Sequence, residues 1–413
     1  MTVAIEAPPA PSLLRNWRFQ LLWMGSGTAF LGIEIASFAY PLVILAMTGS
    51  PAIAGLFGFV ELACSVAAGI PAGALVDRWD RRRVLVAVEA ARAIAVVSVF
   101  LAAATGRLTV THLLIAAGVL GSLSPLASSA RMLVVRAVVP PAQLTQALTQ
   151  DQVRSAATGF AGPPLGGVLL AAGRALPFLA GALAFAVSFL TALIVRTPDR
   201  LAAETTADEP RSGMFSGVGE LWRNRTIRGA LLTICVINIG GMALYLAVVV
   251  QLRDHGASVR AIGLAMAGQA VGTLLGAGLV GPLHRRFAPG ALLLAACALM
   301  TASVALMAAP FGPWWIFGWL SVAMLGVPAV SVLIDVLILR QVPDERRGRT
   351  MAAMMTVMTI GMPVGTLAGG LLLQLFGPIV TILVIALVCA AGCVLGVSDR
   401  DLRDAQWPAT ALG

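Results

Sequence analysis

The sequence predicts an all-α membrane protein of about twelve transmembrane helices arranged as two pseudo-symmetric six-helix bundles. Three observations lead there. The 413 residues are 59% hydrophobic and only 11% charged, where soluble domains are nearer half apolar and a quarter charged. The apolar residues fall into runs long enough to cross a bilayer, which takes roughly 20 residues of helix. Finally, the two halves of the chain echo each other at a nearly constant offset, the mark of a duplicated bundle.

The first six runs lie near 19–47, 52–76, 84–105, 109–130, 153–172 and 176–195. The second six lie near 229–250, 260–283, 289–309, 314–339, 351–375 and 378–397. None alternates with period two, and each is about twice the length a barrel strand needs, so strands are disfavoured. The first run is also too long for a signal-peptide core and is expected to remain as the first span. Residues 196–228 form the one long polar interruption, read as a tether that contains a short amphipathic stretch around Trp222. The expected division is therefore a bundle over 1–195, a linker over 196–228 and a second bundle over 229–413.

The echo between the halves is specific. Val139-Pro140 returns as Val342-Pro343, Gly162 as Gly365, and Gly166-Gly167 as Gly369-Gly370, all at an offset of 203. At 204, Leu75-Val76 and Arg81-Arg82 return as Leu279-Val280 and Arg285-Arg286, while Asp77 becomes Gly281.

The net charge of +9 does not indicate a nucleic-acid partner, because the basic residues sit in short clusters between apolar runs. All 28 basic residues are Arg. With an intracellular N-terminus, 23 of them face the cytoplasm and 4 the opposite side, with Arg92 inside a helix. By the positive-inside rule both termini are cytoplasmic and the chain is a multi-pass protein of the cell membrane. Cys64, Cys235, Cys297, Cys389 and Cys393 all lie in apolar runs without metal-ligand spacing to histidine, so neither disulfides, a metal site nor a cofactor is expected. His112, His255 and His284 are far apart, no phosphate-binding loop is present, and no soluble domain is large enough for a catalytic core. An enzyme is therefore not expected.

The densest charge lies between the second and third runs, in Gly73-Ala-Leu75-Val-Asp77-Arg78-Trp-Asp80-Arg81-Arg82-Arg83. Charge of that density belongs at a membrane face. The pattern Gly-x-Leu-x-Asp-Arg-x-x-Arg-Arg resembles the signature loop of the major facilitator superfamily of secondary transporters. That family usually has Gly where this chain has Asp80; the form Asp-Arg-x-Asp-Arg-Arg is similar to the drug and siderophore exporter branch, which includes macrolide-efflux and enterobactin-exporter proteins. The resemblance implies the major facilitator fold, a substrate site between the bundles near the bilayer midplane, and gating by Gly73, Asp77, Arg78, Arg81 and Arg82. It places Asp77 across the cytoplasmic side from the eleventh helix, which begins around Arg346-Arg347-Gly348-Arg349. Without the resemblance, the cluster is a topology anchor, and Arg82 and Arg83 need do nothing else.

The fifth run carries Gly159, Gly162, Pro163, Gly166 and Gly167. Its glycines allow close helix approach, and its prolines either permit a hinge or accompany tight static packing. It resembles the fifth-helix motif of antiporters in the same superfamily, which implies export. Few ionisable groups lie within the runs, and such groups ordinarily face a cavity or a partner. Glu34, central in the first run, is the leading proton-coupling or substrate residue, with hydrogen bonding inside the bundle as the alternative. Glu89 and Arg92 share a helix face three residues apart, and mutual neutralisation is preferred to substrate contact. Glu61 is a further cavity residue. Asp335, near the cytoplasmic end of the tenth run, either lines the vestibule or pairs locally. Asn238, Tyr245 and Gln269 are polar groups that a substrate cavity could use, with intrahelical or interhelical hydrogen bonding favoured for each alone.

The expected activity is proton-coupled export of a drug-like, antibiotic or siderophore-type small molecule by a monomer in the lipid bilayer. The alternative on the same scaffold is a proton-linked importer of a small metabolite. The charge asymmetry predicts that cysteines placed singly at positions 80 and 255, in a background without the native five, react with a membrane-impermeant thiol reagent from opposite sides of the membrane.

Overall fold

The computed structural model describes residues 13–195, 225–332, 354 and 357–398. Among them every regular element is helical. The N-terminal half supplies α1 (Trp17–Thr48), α2 (Pro51–Arg78), α3 (Arg81–Ala104), α4 (Val110–Val138), α5 (Leu144–Ala172) and α6 (Leu176–Ile194). The C-terminal half supplies α7 (Arg225–Asp254), α8 (Val259–Met266), α9 (Gly268–Arg286), α10 (Pro289–Met307), α11 (Pro313–Met324) and α12 (Met362–Ser398). Ten stretches are long and apolar enough to span a membrane; α8 and α9 form one of them, interrupted only at Ala267. The fifth run, α5, falls outside those ten and still forms an unbroken helix of 29 residues.

Local chemistry explains where the helices start. Side-chain oxygens of Asn16, Ser50, Asp80, Thr109 and Ser258 accept from backbone N–H groups in the first turns of α1, α2, α3, α4 and α8, groups that otherwise have no partner within the helix. Asp80, the departure from the usual signature loop, is thus the N-cap of α3, with its Oδ1 2.8 Å from the amide of Arg83.

Helix α12 is two helices in one. Gly377 has φ 76° and ψ 176°, which a residue with a Cβ rarely adopts, and Pro378 follows it. The neighbours along α7 show that the chain reverses there. Gly361, Gly365 and Gly369 lie against Ile239, Ile239 and Ala243, so the first arm runs parallel to α7. Gly240 lies against Ile385 and Cys389, and Gly392 against Thr233 and Val236, so the second arm runs antiparallel. The sequence break between 375 and 378 falls at this turn.

The duplicated motif occupies equivalent places. Gly162 and Gly166 of α5 press on Glu34 and Phe38 of α1, and Gly365 and Gly369 of α12 press on Ile239 and Ala243 of α7. In both bundles the glycines therefore let two parallel helices meet at backbone distance.

Two further glycine contacts join the halves. A Cβ on Gly55 of α2 would lie 2.8 Å from Cα of Gly370, and one on Gly167 of α5 would lie 3.3 Å from Cα of Gly263 in α8. Both contacts are at the end remote from Asp80 and Arg83, since Gly55 opens α2 while the charged loop closes it. Replacement of Gly370 by Val adds two methyl groups where a single Cβ already meets backbone at 2.8 Å, so the halves must part at that end. A thiol introduced as Ser37→Cys should then react several-fold faster with an impermeant reagent applied from the Arg-poor side. Gly278→Val, in open space, should leave the rate unchanged.

Candidate functional site

Between the bundles, near the middle of the spans, lies a cavity of about 660 Å3. Contributions come from both halves: Glu34, Ser37 and Pro41 of α1, Phe57 and Glu61 of α2, Gly159 and Pro163 of α5, Tyr245 of α7, Gln269 of α9 and Thr366 of α12. Met242, Leu246, Met266, Leu274 and Met324 make much of the remaining wall apolar, and methionine side chains adapt to ligands of varied outline. Among the described residues the lining includes two carboxylates and no Arg or His.

Glycines seat both acidic residues. Gly162 brings the backbone of α5 onto the stem of Glu34, and Gly121 of α4 brings that helix onto the backbone of Glu61. Each carboxylate thereby sits on a helix fixed tightly to its neighbour while its head lines the cavity. Among the described residues neither forms an ion pair. Next to Phe57, the buried Tyr40 ring packs at 4.6 Å and is itself backed by Phe178 at 5.1 Å, which stiffens the wall between α1 and α2.

The other expected residues fall elsewhere. Glu89 is fully buried inside the N-terminal bundle, and its Oε1 receives Arg131 of α4 at 2.5 Å and Arg92 at 3.7 Å. Arg92 also lies 4.6 Å from the centre of the Phe185 ring. Glu89 and Arg92 are thus partners of each other, as the spacing favours, and neither lines the central cavity. Asn238 lies outside it too, donating from Nδ2 to the carbonyl of Met358 at 3.3 Å. Tyr245 and Gln269 do line it. Asp335, like Arg346, Arg347 and Arg349, lies outside the described residues.

At the signature loop, Gly73, Asp77 and Arg78 occupy the last two turns of α2, and Arg81 and Arg82 the first turn of α3. Arg82 does more than mark a membrane face. Its Nε donates to the carbonyl of Val195 at 2.7 Å and its Nη2 to that of Leu193 at 2.5 Å, satisfying carbonyls left over at the end of α6. In α5, Pro163 sits within continuous helix, its carbonyl against Gly263.

Sequence reasoning missed Arg131 as the partner of Glu89, because the two are 42 residues apart and only the packing of α3 on α4 joins them. It also missed Gly55, Gly121 and Gly263, whose value lies in helices they meet rather than in their own neighbours.

Against known proteins, the family model of the Major Facilitator Superfamily matches residues 22–253 and 236–408. The chain belongs to that superfamily. No curated protein matches it. Solved structures share the superfamily architecture. A bacterial homologue of the human lysosomal transporter Spinster, inward-facing and unoccupied, has a TM-score of 0.74 at 16% identity over 97% of this chain and 100% of that one. The nucleoside transporter NupG has a TM-score of 0.77 at 12% identity over 93% and 100%. A bacterial homologue of the iron transporter ferroportin, inward-facing, has 0.72 at 19% over 94% and 99%. At these identities the likeness is one of fold alone.

Proposed function

We propose that this superfamily member is a proton-coupled exporter of a drug-like, antibiotic or siderophore-type small molecule, working as a monomer in the cell membrane with cytoplasmic termini. The observation that carries the reading is two carboxylates, Glu34 and Glu61, that form no ion pair among the described residues and stand on the wall of a largely apolar chamber between two bundles. An acidic group inside a membrane protein is costly unless it is used, and a chamber wall is where a proton or a ligand reaches it.

In the proposed cycle, substrate enters from the cytoplasm or inner leaflet while Glu34 is ionised and occupies the apolar wall. The bundles rock, the chamber opens outward, and a proton binds Glu34. Loss of that charge weakens the hold on a ligand whose polar or cationic group faced it. The protonated chamber returns inward, and the proton leaves to the cytoplasm. Glu61 supplies a second negative charge that biases the chamber towards cations or neutral compounds. The glycine contacts at the Arg-poor end support an inward-facing resting arrangement. Gly159, Gly162, Pro163, Gly166 and Gly167 give α5 the smooth face on which the bundles move.

Glu34→Gln, in membranes with normal expression, should abolish the part of export that a protonophore removes. Full retained activity would exclude Glu34 from the mechanism. Inside-out vesicles energised with a proton gradient should accumulate substrate, whereas its extrusion from them would assign an importer.

Asp77 is proposed to hold the halves together on the cytoplasmic side in the outward-facing state, with Arg78, Arg81 and Arg82 setting its surroundings. A carboxylate at a partly buried helix N-terminus contributes up to about 2 kcal/mol, so Asp77→Asn should slow turnover by up to roughly thirtyfold with ligand affinity unchanged. Unaltered turnover would refute the gating role.

A further inference from the structure

The N-terminal bundle holds a second, smaller chamber of about 210 Å3 near its Arg-rich end, framed by α1, α3, α4 and α5. Phe30, Arg92, Ser128, Arg131 and Asp151 stand in its wall, and the half-exposed Met132 and Leu148 at its rim open it to the surface.

Around it, guanidinium groups outnumber the carboxylates in direct contact with them among the described residues. Arg92 and Arg131 share one carboxylate, Glu89. The carboxylate of Asp151 is held by Arg154 at 2.5 Å. Among the described residues, three guanidinium groups therefore meet two carboxylates at contact distance, and the charge of Glu61 reaches Arg92 from α2. Arg92 and Arg154 are each only 5% exposed. The Nε of Arg92 and the Nε and Nη2 of Arg154 make no hydrogen bond among the described residues, while Nη1 of Arg154 meets Asp151. The ring of Phe30 lies 5.1 Å from Arg154 and 6.0 Å from Arg131, which offsets part of the cost of burial but offers no acceptor. A buried cation without full compensation is strongly unfavourable, and the planar fork of a guanidinium matches the oxygens of carboxylate and phosphate.

We propose that this chamber is a binding site for an oxyanion, the phosphate group of an anionic lipid headgroup or a free phosphate, held by Arg92 and Arg131 with Arg154 behind them. The site is separate from the central cavity, whose two carboxylates repel the same group. Asp151 faces the chamber and opposes the anion, so its charge sets how tightly the anion is held.

The test uses the purified full-length protein. Its melting midpoint is followed against inorganic phosphate at constant ionic strength set by chloride. Retention of phosphatidylglycerol over phosphatidylcholine is read by native mass spectrometry. The expected result is a saturable upward shift with phosphate, selective retention of phosphatidylglycerol, or both; phosphate alone identifies a soluble ligand and lipid alone a headgroup. Asp151→Asn should lower the half-saturating concentration several-fold, and Arg92→Gln should remove the response. Ser128→Leu should remove it too, by filling the chamber, and it keeps the test open if Arg92→Gln does not fold: Ser128 is exposed and bonds only the Pro125 carbonyl of its own helix. No saturable response to either ligand in the wild type, or equal responses in the wild type and Ser128→Leu, would overturn the proposal.

Discussion

A charge placed in hydrocarbon costs about 3 kcal/mol even on the most lenient scales, and the backbone there has no water to bond. Every helix of this chain answers to that constraint. Backbone groups are satisfied within helices; short polar side chains close the starts of α1, α2, α3, α4 and α8, and the guanidinium of Arg82 reaches across from α3 to the end of α6. Charged side chains inside the spans either meet one another, as Glu89 meets Arg92 and Arg131, or line a chamber, as Glu34 and Glu61 do. The same rule that builds the fold therefore sorts its acidic groups into those paired within a bundle and those that line the central cavity.

The consequence is a division of labour between the bundles. Among the described residues, ion pairing lies inside the N-terminal half, around Glu89 and Asp151, and braces its interior. Contact between the halves includes backbone meeting backbone at Gly55, Gly370, Gly167 and Gly263, a Ser50–Gln374 hydrogen bond and a shared apolar cluster. A braced bundle moving against a smooth face fits rigid-body rocking better than internal rearrangement.

The helices, their grouping in two halves and the turn at Gly377 were legible because each is written in consecutive residues: apolar length, the offset of 203, and Gly followed by Pro. The ends of α4 and the start of α5 were less so. Hydropathy stops at Arg131 and resumes after Arg154, yet both helices continue through these arginines, which turn inward to carboxylates or an aromatic ring. For the site, the position of Glu34 at mid-span was enough to place it, whereas Asn238 has the same polar appearance and is taken up by a carbonyl of Met358. Period and hydropathy describe one helix at a time; which face meets which neighbour is a property of the assembled bundle.

The seam at Gly55–Gly370 and Gly167–Gly263 has a thermodynamic corollary. Glycine has no rotamers to freeze, so closing these contacts orders no side chain at the glycines themselves, and the Ser50–Gln374 hydrogen bond at 2.8 Å is the side-chain part of the seam. What is exchanged at the glycines is chiefly dispersion between bare main-chain surfaces, a small quantity per atom that vanishes steeply with separation. Such a latch is shallow and quick in both directions, and leaves the occupant of the chamber to tip the balance between the two ways of standing open.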